Sequence, residues 1–493
     1  MTENTTSREA WWQRSLHASL GVAGITAVCL LALYVIIGHI PLNDGAGWDG
    51  SVYLEYLQIL AAGGTLPSDP YRTIRLSGFL PLIGAASLGA NAAMLLKLQT
   101  LINILLASAA AGLLHDTLRH LGINPRVALL TLATTLASWV FLVMPVFYPL
   151  LSDHIALPLS CLSLWCWARS HRKTLYLALA FSVWLMPGLF LIPLALAAFP
   201  RHCDHAGTPP VNKTRILTTF AVIALCTLPL LTLRLLKFSD GQVMNHSSNL
   251  GGETALLYLR YVSTVVLLAC IALVLLLMIR ALFDSSLWKS LNIGSTVAAL
   301  LVLGVSAGAM FTLIDWSQGF TGPPLTRYML LQSLAAPFKP LVAHLLAFGP
   351  VSIMAIGICI AWGAGRTPTL PKALLACMLG FLPLLLIGSE SRQWIGILPI
   401  ATVLVALSGF SLRQRLWSLL FVIVLALPAF WLHPAITAAI QEGASFQSTQ
   451  WQFYFGRQGP WMSTTVYKLG MIMLLAWGLG MAGLYILDRR TGR

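Results

Sequence analysis

The sequence predicts an all-α polytopic membrane protein, with about 12 full spans of roughly 20 residues each plus a broken helical hairpin. Three observations carry this. Of 493 residues, 57% are hydrophobic and 9% charged, whereas a soluble domain carries about 25% charged residues. Apolar runs near membrane-crossing length recur along the whole chain. Basic residues also segregate into alternate loops, as they do in polytopic proteins.

The runs fall at 18–38, 92–114, 127–147, 149–167, 215–236, 262–280, 292–314, 341–361, 373–388, 394–410, 416–431 and 465–486. The first has a basic approach but no small-residue cleavage signal, so it reads as a retained span. Residues 174–199 form a further run, broken at Pro187-Gly188. Two half-helices entering and leaving on one side fit it better than a straight crossing, provided the break is buried.

Charge placement supports this layout. With the N-terminus inside, the inner segments are 1–17, 115–126, 169–173, 200–215, 280–289, 366–372, 413–415 and 488–493, holding 19 Lys+Arg against 6 Asp+Glu. The outer segments, 39–78, 237–262, 315–340, 389–392 and 432–468, hold 9 of each. A single crossing at 174–199 would invert every later loop and destroy the bias. Both termini are therefore expected in the cytoplasm. Residues 1–493 read as one integral membrane domain, with 39–78 and 432–468 as the largest outer loops. No inverted repeat is visible.

The net charge of +14 follows from the same bias and needs no nucleic-acid partner. Cys203 stands beside His202 and His205, but a fourth ligand and a recognised zinc spacing are missing. No phosphate-cradling glycine loop, HExxH pair or GxSxG elbow occurs in the right context. An outward-facing enzyme without such motifs needs a donor that reaches that side of the membrane, and a lipid-linked one does.

The first outer loop gathers Asp44, Asp49, Glu55, Asp69, Arg72 and Arg75. Val52, Tyr53, Tyr56, Ile59 and Leu60 recur at helical spacing, which predicts an amphipathic helix along the interface. Asp49 is expected at or near its N-cap, where it either caps the helix or does chemistry. A carboxylate at a membrane boundary must be solvated, paired or functional. Arg72 and Arg75, three apart, offer planar donor arrays suited to phosphate; alternatively they balance the acids or meet headgroups.

Asp153 is the single acid placed within a span, near its outer mouth after the Tyr148-Pro149 turn. That position marks a functional candidate, with a structural pairing to an arginine as the other reading. Glu390 and Arg392 share a short outer turn, as an ion pair or with the arginine aimed at an anionic lipid group. Arg457 lies in an aromatic stretch of the last outer loop, either an interfacial belt or a wall that contacts sugar or lipid. His246 with Glu253, and Asp315 with Arg327, are further pairs in their own loops.

The stretch WDGSVYLEYLQ followed by DPYRTIRLSGFLPL resembles the GT-C superfamily of membrane glycosyltransferases, in which an aromatic-Asp-Gly-x-x-Tyr segment follows the first span. Trp48, Asp49, Gly50 and Tyr53 match that segment; Tyr71, Arg72, Arg75 and Pro81-Leu82 match the arginine-bearing stretch beyond it. The resemblance covers about 45 residues plus a GT-C-like topology. It implies sugar transfer from a polyprenyl-phosphate-linked donor to a lipid, glycan or protein acceptor on the outer face of a bacterial inner (plasma) membrane. It further implies Asp49 as catalytic base, with Asp44 a competitor and Asp153 a second acid. Tyr53, Tyr71, Arg72, Arg75, Glu390, Arg392 and Arg457 become substrate-binding candidates. No cofactor is specified. The carboxylates would suffice for a divalent cation, though their spacing is not distinctive. A transporter or flippase for a lipid-linked or amphipathic substrate is the rival reading. It would need coupling residues deep in the spans, for which Asp153, Lys97 and Arg234 are the charged candidates.

Overall fold

A computed structural model describes residues 3–186, 188–203, 212–248, 256–317, 324–366, 370–443, 459 and 462–491. Among the described residues the chain is helical, without strands. Six helices are long and apolar enough to cross a membrane: Leu16–Ile37, Ala92–His120, Lys213–Leu236, Leu257–Leu282, Ile293–Leu313 and Thr464–Arg490. Two bent pairs raise the number to as many as eight: Pro125–Leu136 with Trp139–Phe147, bent by 74°, and Leu325–Ala335 with Lys339–Phe348, bent by 95°. The chain is a multi-pass membrane protein. Its outward apolar side chains fit that solvent, with Val35 78% and Leu225 75% exposed.

The chain divides into two compact units, one of residues 1–197 with 297–320 and one of 198–296 with 321–493. In the first, Glu3–Ile37 packs along Ala92–His120, where a Cβ at Gly112 would stand 3.1 Å from the Ser19 carbonyl oxygen. Ser19 also meets His115 Nδ1 at 2.9 Å across the same contact. Beside it, Arg169 at the end of Asp153–Arg169 donates three hydrogen bonds to the two carboxylate oxygens of Asp116, and Trp165 Nε1 adds a fourth at 2.8 Å. Burying a pair of charges is tolerable when their hydrogen bonds are satisfied in this way.

In the second unit, Thr464–Arg490 packs closely on its neighbours through glycine. A Cβ at Gly470 would lie 2.4 Å from Val342 Cγ1, and one at Gly480 would lie 2.6 Å from Trp417. The Arg415 guanidinium donates to the carbonyls of Val405 and Ser408 at 2.9 and 2.8 Å, tying off the end of Leu398–Leu407. Orphan carbonyls at that helix end are thereby satisfied.

Several expected elements differ. The 127–147 run turns sharply at Ser138 rather than crossing straight. The 341–361 run is two helices, Lys339–Phe348 and Pro350–Gly363, broken where Gly349 takes φ +72°. Proline starts the second because it has no amide hydrogen to lose there. The expected outer loop 315–340 contains the helix Leu325–Ala335, whose Leu331, Gln332 and Leu334 are buried. Residues 174–199 do form two helical pieces, Arg172–Ser182 and Leu191–Ala198; Pro187 between them lies outside the described residues.

Candidate functional site

The first loop folds into the predicted helix, Trp48–Ala61, with Tyr53, Tyr56 and Leu57 buried in a cluster with Phe79, Leu82 and Leu150. Its N-cap is Gly47, at φ 71° and ψ −158°, a conformation open almost only to glycine. Asp49 therefore sits inside the first turn rather than at the N-cap, where the helix N-terminus favours a carboxylate. Two close approaches fix that turn. A Cβ at Gly47 would fall 2.3 Å from the Tyr148 ring, and one at Gly50 would fall 2.9 Å from Leu150 Cβ. The Tyr148 hydroxyl accepts the Asp49 amide hydrogen at 2.7 Å.

Tyr148 is itself held. Asn103, buried in the helix Ala92–His120, donates to the carbonyls of Pro145 and Pro149, both at 2.9 Å. His154 Nε2 meets the Tyr148 carbonyl oxygen at 2.8 Å. The turn at 145–149 is thus a clamp that sets where Asp49 stands. Neither Tyr148 nor Asn103 figures among the candidates read from sequence. The Tyr148-Pro149 turn was the available signal, but its partner lies about a hundred residues away (99 positions).

The short helix Pro70–Arg75 brings the two arginines alongside. Asp69 caps it and accepts from Arg72 Nη1 at 2.9 Å, while Arg72 Nη2 lies 4.0 Å from Asp49 Oδ1. Both Arg72 and Asp49 side chains remain about a third exposed, at 34% and 36%. Burial opposes the Arg72 charge, yet Asp69 and Asp49 together raise its pKa above the ordinary guanidinium value.

Arg75 has a different setting. It is buried, its guanidinium 3.9 Å from the Tyr71 ring centroid. Burial again opposes the charge, and Tyr71, Tyr53 and Asp153 outweigh it, raising the pKa. Burial likewise pushes the Tyr53 phenol well above its usual range. Asp153 is buried at the first position of Asp153–Arg169, directly after the clamp. Asp49, Tyr53, Tyr71, Arg72, Arg75 and Asp153 therefore come together in one unit. Asp44 sits in the exposed 3-10 turn Asn43–Gly45, at φ 53°.

Glu390 and Arg392 belong to the other unit. Glu390 is buried and accepts from the Tyr328 hydroxyl at 2.6 Å and from Gln332 Nε2 at 3.3 Å. Gln332 Oε1 in turn accepts from the Ser389 amide and hydroxyl. Gly459, between Leu412–Gln441 and Thr464–Arg490, donates its amide to the Ser389 carbonyl at 2.9 Å, and a Cβ there would collide with Glu390. Lys339, the first residue of Lys339–Phe348, is fully buried, and His344 Nδ1 meets Ser391 Oγ at 2.9 Å. Sequence reading missed Tyr328, Gln332 and Lys339 because they were assigned to an outer loop. Arg457 and Glu253 lie outside the described residues.

Among the described residues, no three His, Cys, Asp or Glu converge as a metal ion would require. Asp49 and Asp69 both face Arg72, so this donor set fits a guanidinium rather than a divalent cation. Cys203 Sγ accepts from the Asn292 side-chain amide at 3.7 Å.

Comparison with known proteins gives no relative: no family model, no curated protein and no solved structure matches the chain.

Proposed function

We propose that this chain is a membrane glycosyltransferase that moves a sugar from a polyprenyl-phosphate-linked donor to an acceptor on the outer face of the inner membrane. The observation that carries the reading is the pairing of partly open Asp49 with partly open Arg72, on a helix turn clamped by Tyr148. The GT-C resemblance of the same segment supports it, as does the charge bias that puts residues 39–78 outside. A GT-C-like layout of about a dozen crossings, with both termini cytoplasmic, belongs to the same proposal.

The chemistry requires a base and an anion partner. Asp49, ionised beside the Arg72 guanidinium, accepts the proton of the acceptor hydroxyl as that oxygen attacks the anomeric carbon. The bond from that carbon to the phosphate oxygen breaks, and its electron pair leaves with the polyprenyl phosphate. Arg72 has donor capacity beyond Asp69 and stabilises the departing charge. Arg75, enclosed by Tyr71, Tyr53 and Asp153, positions the short helix and keeps Asp153 in a balanced field. No step runs through a metal. The test is transfer of labelled sugar from a synthetic short-chain polyprenyl-phosphate donor by purified protein in vesicles.

One observation favours a second reading, a transporter or flippase for a lipid-linked or amphipathic substrate. Lys339 is 0% and Glu390 4% exposed, and ionisable groups buried inside a membrane protein are functional candidates. Movement of a fluorescent lipid-linked substrate across vesicles, without any change of its glycosidic bond, would select that reading.

A further inference from the structure

In the second unit, the end of the membrane-crossing helix Lys213–Leu236 borders a cavity of about 470 Å³. Three cations line it: Arg234 and Lys237 from that helix end, and Arg327 from Leu325–Ala335. No carboxylate stands among the described lining residues. The acid nearest in sequence, Asp240, is paired with Arg260, which also donates to the Phe238 carbonyl and so shapes the cavity wall. The rest of the lining includes Leu231, Phe238 and Leu330. Below it, the helix presents Leu225, Leu230 and Leu233 outward, each at least 60% exposed.

Two ordinary explanations account for only part of this. Cations in the last turn of a helix are favoured by its dipole, which covers Arg234 and Lys237. Arg327 stands in the first turn of its helix, where the dipole disfavours a cation. Isolated snorkelling arginines reach individually for headgroups and have no reason to converge on one cavity. Three like charges held together without an acid repel one another unless an anion joins them. The adjoining apolar ridge would suit hydrocarbon chains.

We infer that this cavity binds the phosphate headgroup of a membrane lipid, with its acyl or prenyl chains lying along Lys213–Leu236. The inference is independent of glycosyl transfer.

Its test is retention of lipid by purified full-length protein, measured by native mass spectrometry after delipidation into zwitterionic detergent. Phosphatidylglycerol and a polyprenyl phosphate are added separately, with phosphatidylcholine as the uncharged-net control and inorganic phosphate as competitor. The wild type should retain one or both anionic lipids over phosphatidylcholine, and the two arms tell a resident phospholipid from a prenyl phosphate. The combined Arg234→Gln, Lys237→Gln, Arg327→Gln variant should retain at least about tenfold less, since each basic residue near an anionic surface contributes a comparable increment. The matching variant with Arg234→Lys and Arg327→Lys should keep most of the retention. Should the neutral variant fail to fold, raising salt on the wild type gives the same readout, because screened contacts release the lipid. Wild-type retention by a folded neutral variant would overturn the inference. So would salt-insensitive retention, or binding of inorganic phosphate with neither lipid held.

Discussion

Arg72 and Arg75 look alike in sequence and differ in the fold, and the difference makes their replacement diagnostic. Arg72 is a third exposed and shared between Asp69 and Asp49; Arg75 is buried against Tyr71, with Asp153 acting on it. Arg72→Gln should leave the melting temperature of the purified protein nearly unchanged and weaken donor affinity about tenfold, as loss of one half-screened charged contact would. Arg75→Gln should instead destabilise the protein by about 2 kcal/mol, since it removes a buried guanidinium packed over the Tyr71 ring. Adding Asp153→Asn to Arg75→Gln should recover part of that loss in a double-mutant cycle. If Arg75→Gln melts like wild type, the buried guanidinium is not structural. The sequence makes both arginines visible as donors of the right chemistry. It does not separate them, because nothing in the local spacing says that Arg75 is buried on the Tyr71 ring while Arg72 stays a third exposed.

At the scale of elements, the first-loop helix was legible from the 3.6-residue spacing of Tyr53, Tyr56 and Leu60, and it forms over Trp48–Ala61. Its clamp was not, because the Tyr148 contact with Asp49 and the Asn103 contacts with Pro145 and Pro149 are long-range and leave no local period. Gly349-Pro350 was a legible turn signal overridden by the hydropathy of its flanks. The clamp makes a direct prediction. Gly47→Ala combines a glycine-only conformation with a Cβ 2.3 Å from Tyr148 and should cost roughly 2–3 kcal/mol. Tyr148→Phe keeps the ring, loses the acceptor for the Asp49 amide, and should cost about 1 kcal/mol. Equal melting temperatures for all three proteins would contradict the clamp. The turn before it carries a pH dependence. His39 meets Thr100 Oγ1 at 2.7 Å, and burial, assisted by Lys97, holds its pKa below the usual 6.5. The fold thus favours neutral imidazole. Its contribution is full above about pH 6.5 and is lost as pH falls through the lowered folded value. Amide exchange over residues 38–47, corrected for intrinsic rates, should quicken on acidification in wild type and not in His39→Gln. An identical acid response in both would remove His39 from the account.

For the whole molecule, composition was enough to read a multi-pass helical membrane protein, because lipid leaves few other solutions for an apolar chain. The span count was less legible. Lys372–Ile387, with 16 residues, and Pro350–Gly363, with 14, fall short of a straight crossing, for which about 20 residues are needed. Hydropathy windows do not register such breaks or the 95° bend at Phe338. The proposed sidedness is open to labelling in intact cells. With exposed Cys29 and Cys226 replaced, Gly63→Cys should react with an impermeant reagent and Arg366→Cys should not; the reverse pattern would invert the layout. The central claim, outward sugar transfer with Asp49 as base, is tested most directly by one comparison of wild type with Asp49→Asn in vesicles, using a defined polyprenyl-phosphate sugar. Asparagine keeps the shape of the clamped turn and loses the proton acceptor. The account predicts an intact fold, retained donor binding and transfer slowed at least about a hundredfold, with Asp44→Asn close to wild type. Normal turnover by Asp49→Asn would contradict it.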